Sequence, residues 1–190
     1  EKFNISPDTV VVGTVAVFRF QKRLKEWLEV FAEASHRHPN LKGIVVGDGF
    51  LKGELVDHIK SLQLQGKVML AGLQTEVRPW YSAMDIFMMT SEFEGLPVAL
   101  LEAMSMECAV VTTDAGGIKE VITHNVNGLM EPVNQWKKLV EHVDRLVQDE
   151  IQRSTMASAA RQQVIRSFSM GRMVEELEEL YISTLLRLPR

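Results

Sequence analysis

One cysteine, Cys108, is all that the 190 residues contain. That excludes an internal disulfide framework and any zinc site built on cysteines. Ala109, Val110 and Val111 follow it, so it reads as a small buried packing residue, and a lone thiol fits a reducing compartment. No apolar run approaches the ~20 residues of a membrane-spanning helix, and no stretch reads as a signal peptide. Basic charge is scarce: 21 Lys and Arg against 25 Asp and Glu leave a net charge of -4. The one basic knot, Lys22, Arg23 and Lys25, is too short to track a nucleic-acid backbone, so no nucleic-acid partner is expected. The histidines, His36, His38, His58, His124 and His142, show no ligand spacing and read as ordinary surface or packing residues. The chain opens on Glu1 rather than Met, as a piece cut from a longer polypeptide would.

What is present is a hydrophobic fraction of 46%, enough for one sizeable core, and a regular alternation of two patterns. Short runs rich in β-branched and apolar residues read as strands: Val10 to Phe18, Ile44 to Val46, Val68 to Ala71, Ile86 to Met89 and Ala109 to Thr112. Stretches with apolar residues at helical spacing lie between them: Lys22 to His36, Leu51 to Leu64, Val77 to Ala83 and Pro97 to Met106. The strands are apolar on both faces, the signature of a parallel sheet covered by helices on each side. Gly116-Gly117 precedes a short helical turn, and Asn125 to Gly128 is turn chemistry. The last third reads as helices only, over Trp136 to Gln148, Arg153 to Ser167 and Met173 to Leu186, with Ser169 as N-cap of the last. The expectation is an α/β, Rossmann-like single domain, with a core over about 10–133 and a helical tail over 134–190.

In such a sheet, ligands bind in the crevice at the carboxyl ends of the strands. The loops that follow strands are therefore the candidates: Arg19 to Arg23, Gly47 to Gly49, Ser91 to Pro97 and Asp114 to Gly117. The strongest is Ser91-Glu92-Phe93-Glu94-Gly95-Leu96-Pro97 with the helix after it. Pro97 is preorganised for a helix start, which leaves the N–H groups of Leu96, Val98 and Ala99 free at its positive end, a site suited to phosphate. Glu102 stands in an otherwise almost wholly apolar stretch and needs hydrogen-bonding partners, which a pair of ribose hydroxyls would supply. Glu94, in the loop, is placed to accept from sugar hydroxyls. Two acids thus bracket a phosphate site.

These residues resemble the acidic motif of retaining GT-B glycosyltransferases of the GT4 type: Glu94, seven residues, Glu102, with Gly95-Leu96-Pro97 after the first acid. The resemblance extends over nearly the whole chain. Val12-Gly13-Thr14-Val15 with Arg19 is similar to the family's first strand and its arginine, Val46-Gly47-Asp48-Gly49 to its second glycine loop, and Thr113 to Val121 and Asn127-Gly128-Leu129 to the segments after the motif. The resemblance implies one half of a GT-B fold that binds the donor, a nucleotide sugar, with a UDP-sugar as first choice and GDP- or ADP-sugar as alternatives. It implies no cofactor and no metal. Arg19 and Lys22 are expected at the diphosphate and Glu94 at the transferred sugar. Leu96, Pro97, Val98 and Ala99 are expected along the phosphates, Glu102 at the ribose, and Gly13 and Gly47 as close-approach glycines. The chain departs from the family in Phe18, where a glycine is usual. The loop from Arg19 to Lys22 is also two residues short, which makes Lys25 the alternative to Lys22.

The N-terminal half that would bind a saccharide or lipid-linked acceptor is expected outside this chain, so the domain alone should transfer little or nothing. The implied setting is glycan or polysaccharide synthesis in the cytoplasm, with peripheral membrane contact through the missing half as a further expectation. Two other classes share the architecture: a nucleotide-sugar 2-epimerase, which would carry more histidines and acids in its cleft, and a non-catalytic binding module that has kept the fold.

Overall fold

A computed structural model describes residues 6 and 8–187. Six strands form one sheet: β1 (Val10–Val15), β2 (Leu41–Val46), β3 (Val68–Gly72), β4 (Ile86–Met89), β5 (Ala109–Thr113) and β6 (Leu129–Glu131), in the order β3-β2-β1-β4-β5-β6. Every pairing is parallel. Parallel neighbours need a crossover, and the helical stretches between the strands supply most of them: α1 (Leu24–Arg37), α2 (Lys52–Ser61), α3 (Arg78–Ser82) and α4 (Val98–Ser105). After β6 come α5 (Leu139–Gln148), α6 (Glu150–Ser167) and α7 (Met170–Arg187). Their boundaries differ from those read in the sequence by a few residues. The strand β6 is an addition, three residues long after a turn and too short to leave a pattern.

Because alternate side chains of a strand point to opposite faces, the sheet divides the core in two. Val12, Val45, Met88, Ala109 and Val111 pack with α1, α2 and α5, in a layer that holds Trp27, Phe31, Leu139, Val143 and Leu146. Val11, Ile44, Val46, Phe87, Met89 and Val110 pack on the other face with Tyr81, Leu100, Met104 and Ala160. Trp27 ties α1 to the sheet directly: its ring stacks on Phe31 at 5.5 Å, and its Nε1–H donates to the Met88 carbonyl at 3.0 Å.

The strand order reverses between β1 and β4, which lie side by side although β2 and β3 come between them in sequence. Loops leaving two such strands run to opposite faces and open a crevice between them. The chain after β1 leads to the start of α1 and the chain after β4 to the start of α4, so two helix N-termini, each with partial positive charge, converge on this point.

Candidate functional site

The loop after β1 is shaped by its contacts with the next crossover. Phe18 is fully buried; its N–H donates to the Asp48 carbonyl at 2.9 Å, and a β-carbon on Gly49 would meet the Phe18 backbone at 2.7 Å. The backbone at Phe18 therefore joins the two loops, while its ring fills the core beneath them. Gly47 has φ 128°, open to glycine, and a β-carbon there would lie 1.9 Å from the Ala16 carbonyl oxygen. Asp48 is structural. Its carboxylate accepts from Lys52 at 2.6 Å and from the Gly49 N–H at 2.7 Å, and these bonds hold its carboxyl below the usual range.

A 3₁₀ turn, Phe20–Lys22, follows, and Arg23 takes a left-handed φ of 48° before α1 begins. The corner is fastened to β4 by Thr90, whose hydroxyl donates to the Arg23 carbonyl at 2.8 Å. The corner aims Lys22 at Glu94: its ammonium lies 2.7 and 2.9 Å from the two carboxylate oxygens. Ser91 donates to the same carboxylate at 2.6 Å. The pair is largely enclosed, with side-chain exposures of 22% and 9%, so solvent screens it less than a surface pair. Lys25, the alternative to Lys22, points elsewhere and pairs with Glu54 on α2 at 2.6 Å. Arg19 is exposed and makes no ion pair among the described residues.

Three neighbours hold the loop that carries Glu94. The Glu92 N–H donates to the Gln21 carbonyl at 2.8 Å, the Thr113 hydroxyl to the Ser91 carbonyl at 2.6 Å, and the Gly117 N–H to the Glu94 carbonyl at 3.2 Å. Gly116 and Gly117 lack side chains for a local reason. A β-carbon on Gly116 would stand 2.0 Å from the Glu94 carbonyl oxygen, and one on Gly117 2.3 Å from that of Gly95. They admit the motif backbone, a role that the loop's glycine content alone left open. Gly13 is closely packed in a related way. It lies buried within β1, paired with Ile44 and Phe87, and a β-carbon there would meet the Met84 sulfur at 2.3 Å. Its closeness is to a neighbouring side chain.

Helix α4 begins at Val98, with Pro97 buried in the N-cap position. The N–H groups of Leu96, Val98 and Ala99 have no protein acceptor among the described residues, and those of Val98 and Ala99 sit at the helix's positive end. Ala99 reaches into a cleft of about 300 Å³ whose wall includes Ala16, Lys22, Gly47, Leu73, Gln74 and Val77. Glu102 lies one turn further along α4, half-buried, and accepts from the Tyr81 hydroxyl at 2.8 Å. Sequence reasoning misses Tyr81, because β4 and the motif loop separate α3, which carries it, from Glu102 and hide the contact from any local pattern. Burial, then the bond to Glu102, pushes the Tyr81 hydroxyl well above its ordinary pKa, so it stays a donor. Cys108 is buried, its thiol pushed up to about 12 by desolvation, and it donates to the Tyr81 carbonyl at 3.3 Å. It is a packing residue without thiolate chemistry. No group of three or more His, Cys, Asp or Glu side chains able to hold a metal occurs among the described residues.

The arrangement offers a cation, Lys22, and a helix N-terminus at the cleft, with Glu94 paired to that cation and Glu102 one turn along the helix. That suits a ligand with a phosphate centre and hydroxyl-bearing ends. Several known proteins are similar to the chain. It is 27% identical over 185 residues to an N-acetyl-alpha-D-glucosaminyl L-malate synthase from Bacillus anthracis, covering 97% of this chain and 48% of that protein. The crystal structure of the C-terminal domain of a glycosyl transferase group 1 family protein, LpcC, from Francisella tularensis matches with a TM-score of 0.75 and 25% identity, over 85% of this chain and 87% of that one. Anabaena Alr3699/HepE in complex with UDP matches in fold with a TM-score of 0.83 and 24% identity, over 93% of this chain and 49% of that one. The six-stranded sheet with its helical tail is thus one half of a GT-B fold. The chain spans about half the length, or less, of the curated relatives it matches. Residues 1–163 match the family model described as glycosyl transferases group 1, and the chain belongs to that family.

Proposed function

We propose that this chain is the donor-binding half of a retaining glycosyltransferase, which takes a nucleotide sugar and passes its glycosyl group to a saccharide or lipid-linked acceptor held by another part of the protein. One observation carries the reading: Lys22, Glu94 and the free N–H groups at the start of α4 meet where the strand order reverses. In this reading the donor's diphosphate lies on the N-terminus of α4, and Lys22 and Arg19 supply positive charge as the nucleotide departs. Glu94 accepts hydrogen bonds from the transferred sugar and Glu102 from the ribose. Leu96, Pro97, Val98 and Ala99 run along the phosphates, and Gly47, whose loop can close on Ala16 because it lacks a side chain, stands in the cleft wall beside the nucleoside. The chemistry needs no metal from this chain, because the cations and helix N–H groups can carry the leaving-group charge.

UDP is the first nucleotide to test, because the HepE structure holds it; GDP and ADP remain alternatives. Glycan synthesis at the cytoplasmic face of a membrane is the setting proposed, with any membrane contact assigned to the acceptor-binding half. The decisive experiment is a calorimetric titration of the 190-residue chain with UDP, GDP and ADP, alongside Glu102→Ala. Binding of one nucleotide, weakened by the substitution, is the expected result. No heat with any of the three at millimolar concentration, and no effect of the substitution on any shift seen by NMR, would sink the reading.

A further inference from the structure

Glu102 would not be a well-defined ribose ligand by itself. A glutamate has three rotatable bonds, and this one is half-buried among apolar neighbours on α4. Its side chain has one protein partner among the described residues, the Tyr81 hydroxyl at 2.8 Å from Oε2. Tyr81 itself is held fast. It is 1% exposed, its ring packs against Phe87 at 5.9 Å with a 56° tilt, and its carbonyl takes the Cys108 thiol. The short helix α3 that carries it also borders the cleft: Val77, one turn earlier, stands in the cleft wall with Leu73 and Gln74. One wall of the cleft and the support of Glu102 are thus built from the same segment.

From this geometry we infer that Tyr81 is a positioning residue, which fixes the Glu102 carboxylate so that it recognises the vicinal hydroxyls of a ribose. This rests on the donor-site reading above. The hydroxyl has one proton to give, and one lone pair of Oε2 takes it, so the carboxylate is held from inside while Oε1 and the other lone pair of Oε2 are left to a ligand's two hydroxyls. Bidentate recognition of a diol needs both oxygens at fixed positions. A carboxylate free to turn would lose that freedom on each binding event, at a cost in affinity. Tyr81 therefore sets discrimination between ribose and 2′-deoxyribose without touching the nucleotide.

The test uses UDP and 2′-deoxy-UDP, titrated by calorimetry into the 190-residue chain and its Tyr81→Phe, Glu102→Ala and doubly substituted forms. The wild-type chain is expected to favour UDP about tenfold, the scale of a hydrogen bond to a charged group. Tyr81→Phe keeps the ring, its volume and its packing; it should cut UDP affinity about three- to tenfold and leave 2′-deoxy-UDP nearly unchanged. In the Glu102→Ala background the same change should add nothing. Thermal melts of all four forms check the fold. A Tyr81→Phe chain with an unaltered preference overturns the inference, and so does an equal loss with and without Glu102, which would mark general loosening. Unaltered discrimination in Glu102→Ala strikes the ribose assignment itself, whichever way Tyr81 behaves.

Discussion

Lys22 and Glu94 are each assigned a ligand group, and they also pair with one another. The ammonium lies across both carboxylate oxygens, so Glu94 competes with a diphosphate for Lys22, and Lys22 with a sugar for Glu94. Glu94→Gln removes Lys22's counter-charge and a negative charge beside the phosphates. UDP should then bind more tightly, by about three- to tenfold, from Coulomb terms on the order of 1 kcal/mol. A UDP-sugar should gain less, because the transferred sugar loses its acceptor. Lys22→Met should weaken UDP by about tenfold. Calorimetry with UDP and UDP-glucose reads both, and unchanged UDP affinity in Glu94→Gln would show that the pair does not compete with the phosphates. At this scale the sequence is informative where the chemistry is local. The two acids, the proline and the start of α4 fall within one short stretch, Glu94 to Glu102, and show their purpose through spacing. Tyr81 and Ser91 do not: a tyrosine in a short helix and a serine in a loop have many uses, and only the assembled fold aims their hydroxyls at Glu102 and Glu94.

Among the elements, the strands are the most legible, because burial on both faces leaves short runs that are mostly apolar and β-branched. β6 is not, since three residues behind an Asn-Val-Asn-Gly turn are too few to establish a period. The end of the chain is helical, as its pattern predicts, and it divides by packing. α5 and α6 bury Leu139, Val143, Leu146 and Ala160 against the sheet layers, whereas α7 leaves Met170, Leu180, Tyr181, Ile182 and Leu185 exposed. The 3₁₀ turn Gly116–Glu120 is the element whose docking matters most to the site, since it touches the motif backbone. It should tolerate no side chain at Gly116, where φ is 57° and a β-carbon would overlap the Glu94 carbonyl. Gly116→Ala is expected to cost about 1–3 kcal/mol, as other strained backbone positions do, and to lower nucleotide affinity together with stability. Gly53→Ala on α2, where a β-carbon meets open space, should instead stabilise the fold by about 0.5–1 kcal/mol. Urea unfolding followed by circular dichroism separates the two; equal and small effects would contradict the close docking.

For the molecule as a whole, the edge of the sheet is the place where pH acts on the fold. β6 is held to α5 by His142, whose Nε2 lies 2.8 Å from Glu131, with the His124 ring centred 5.6 Å away and Arg145 on the same helix. Desolvation is the largest influence and lowers the His142 pKa; Glu131 raises it, His124 and Arg145 lower it, and the net direction is down. The folded state therefore binds this proton less readily than the unfolded chain. Whenever the unfolded state holds more protons, stability rises with pH. The contribution is thus fully present above the ordinary imidazole range near about 6.5 and is lost as pH falls through the lower folded value. Unfolding midpoints measured from about pH 8 down to about pH 5 should drop over the acidic part of that span. His142→Gln keeps a hydrogen-bonding group for Glu131 but cannot take the proton, so its midpoint should fall less steeply over the same interval. A curve parallel to wild type would mean that other groups carry the acid sensitivity. Because β6 stands two strands away from β4 and the crevice beside it, nucleotide affinity at neutral pH should be the same in both chains, which separates this stability effect from any titration within the donor site.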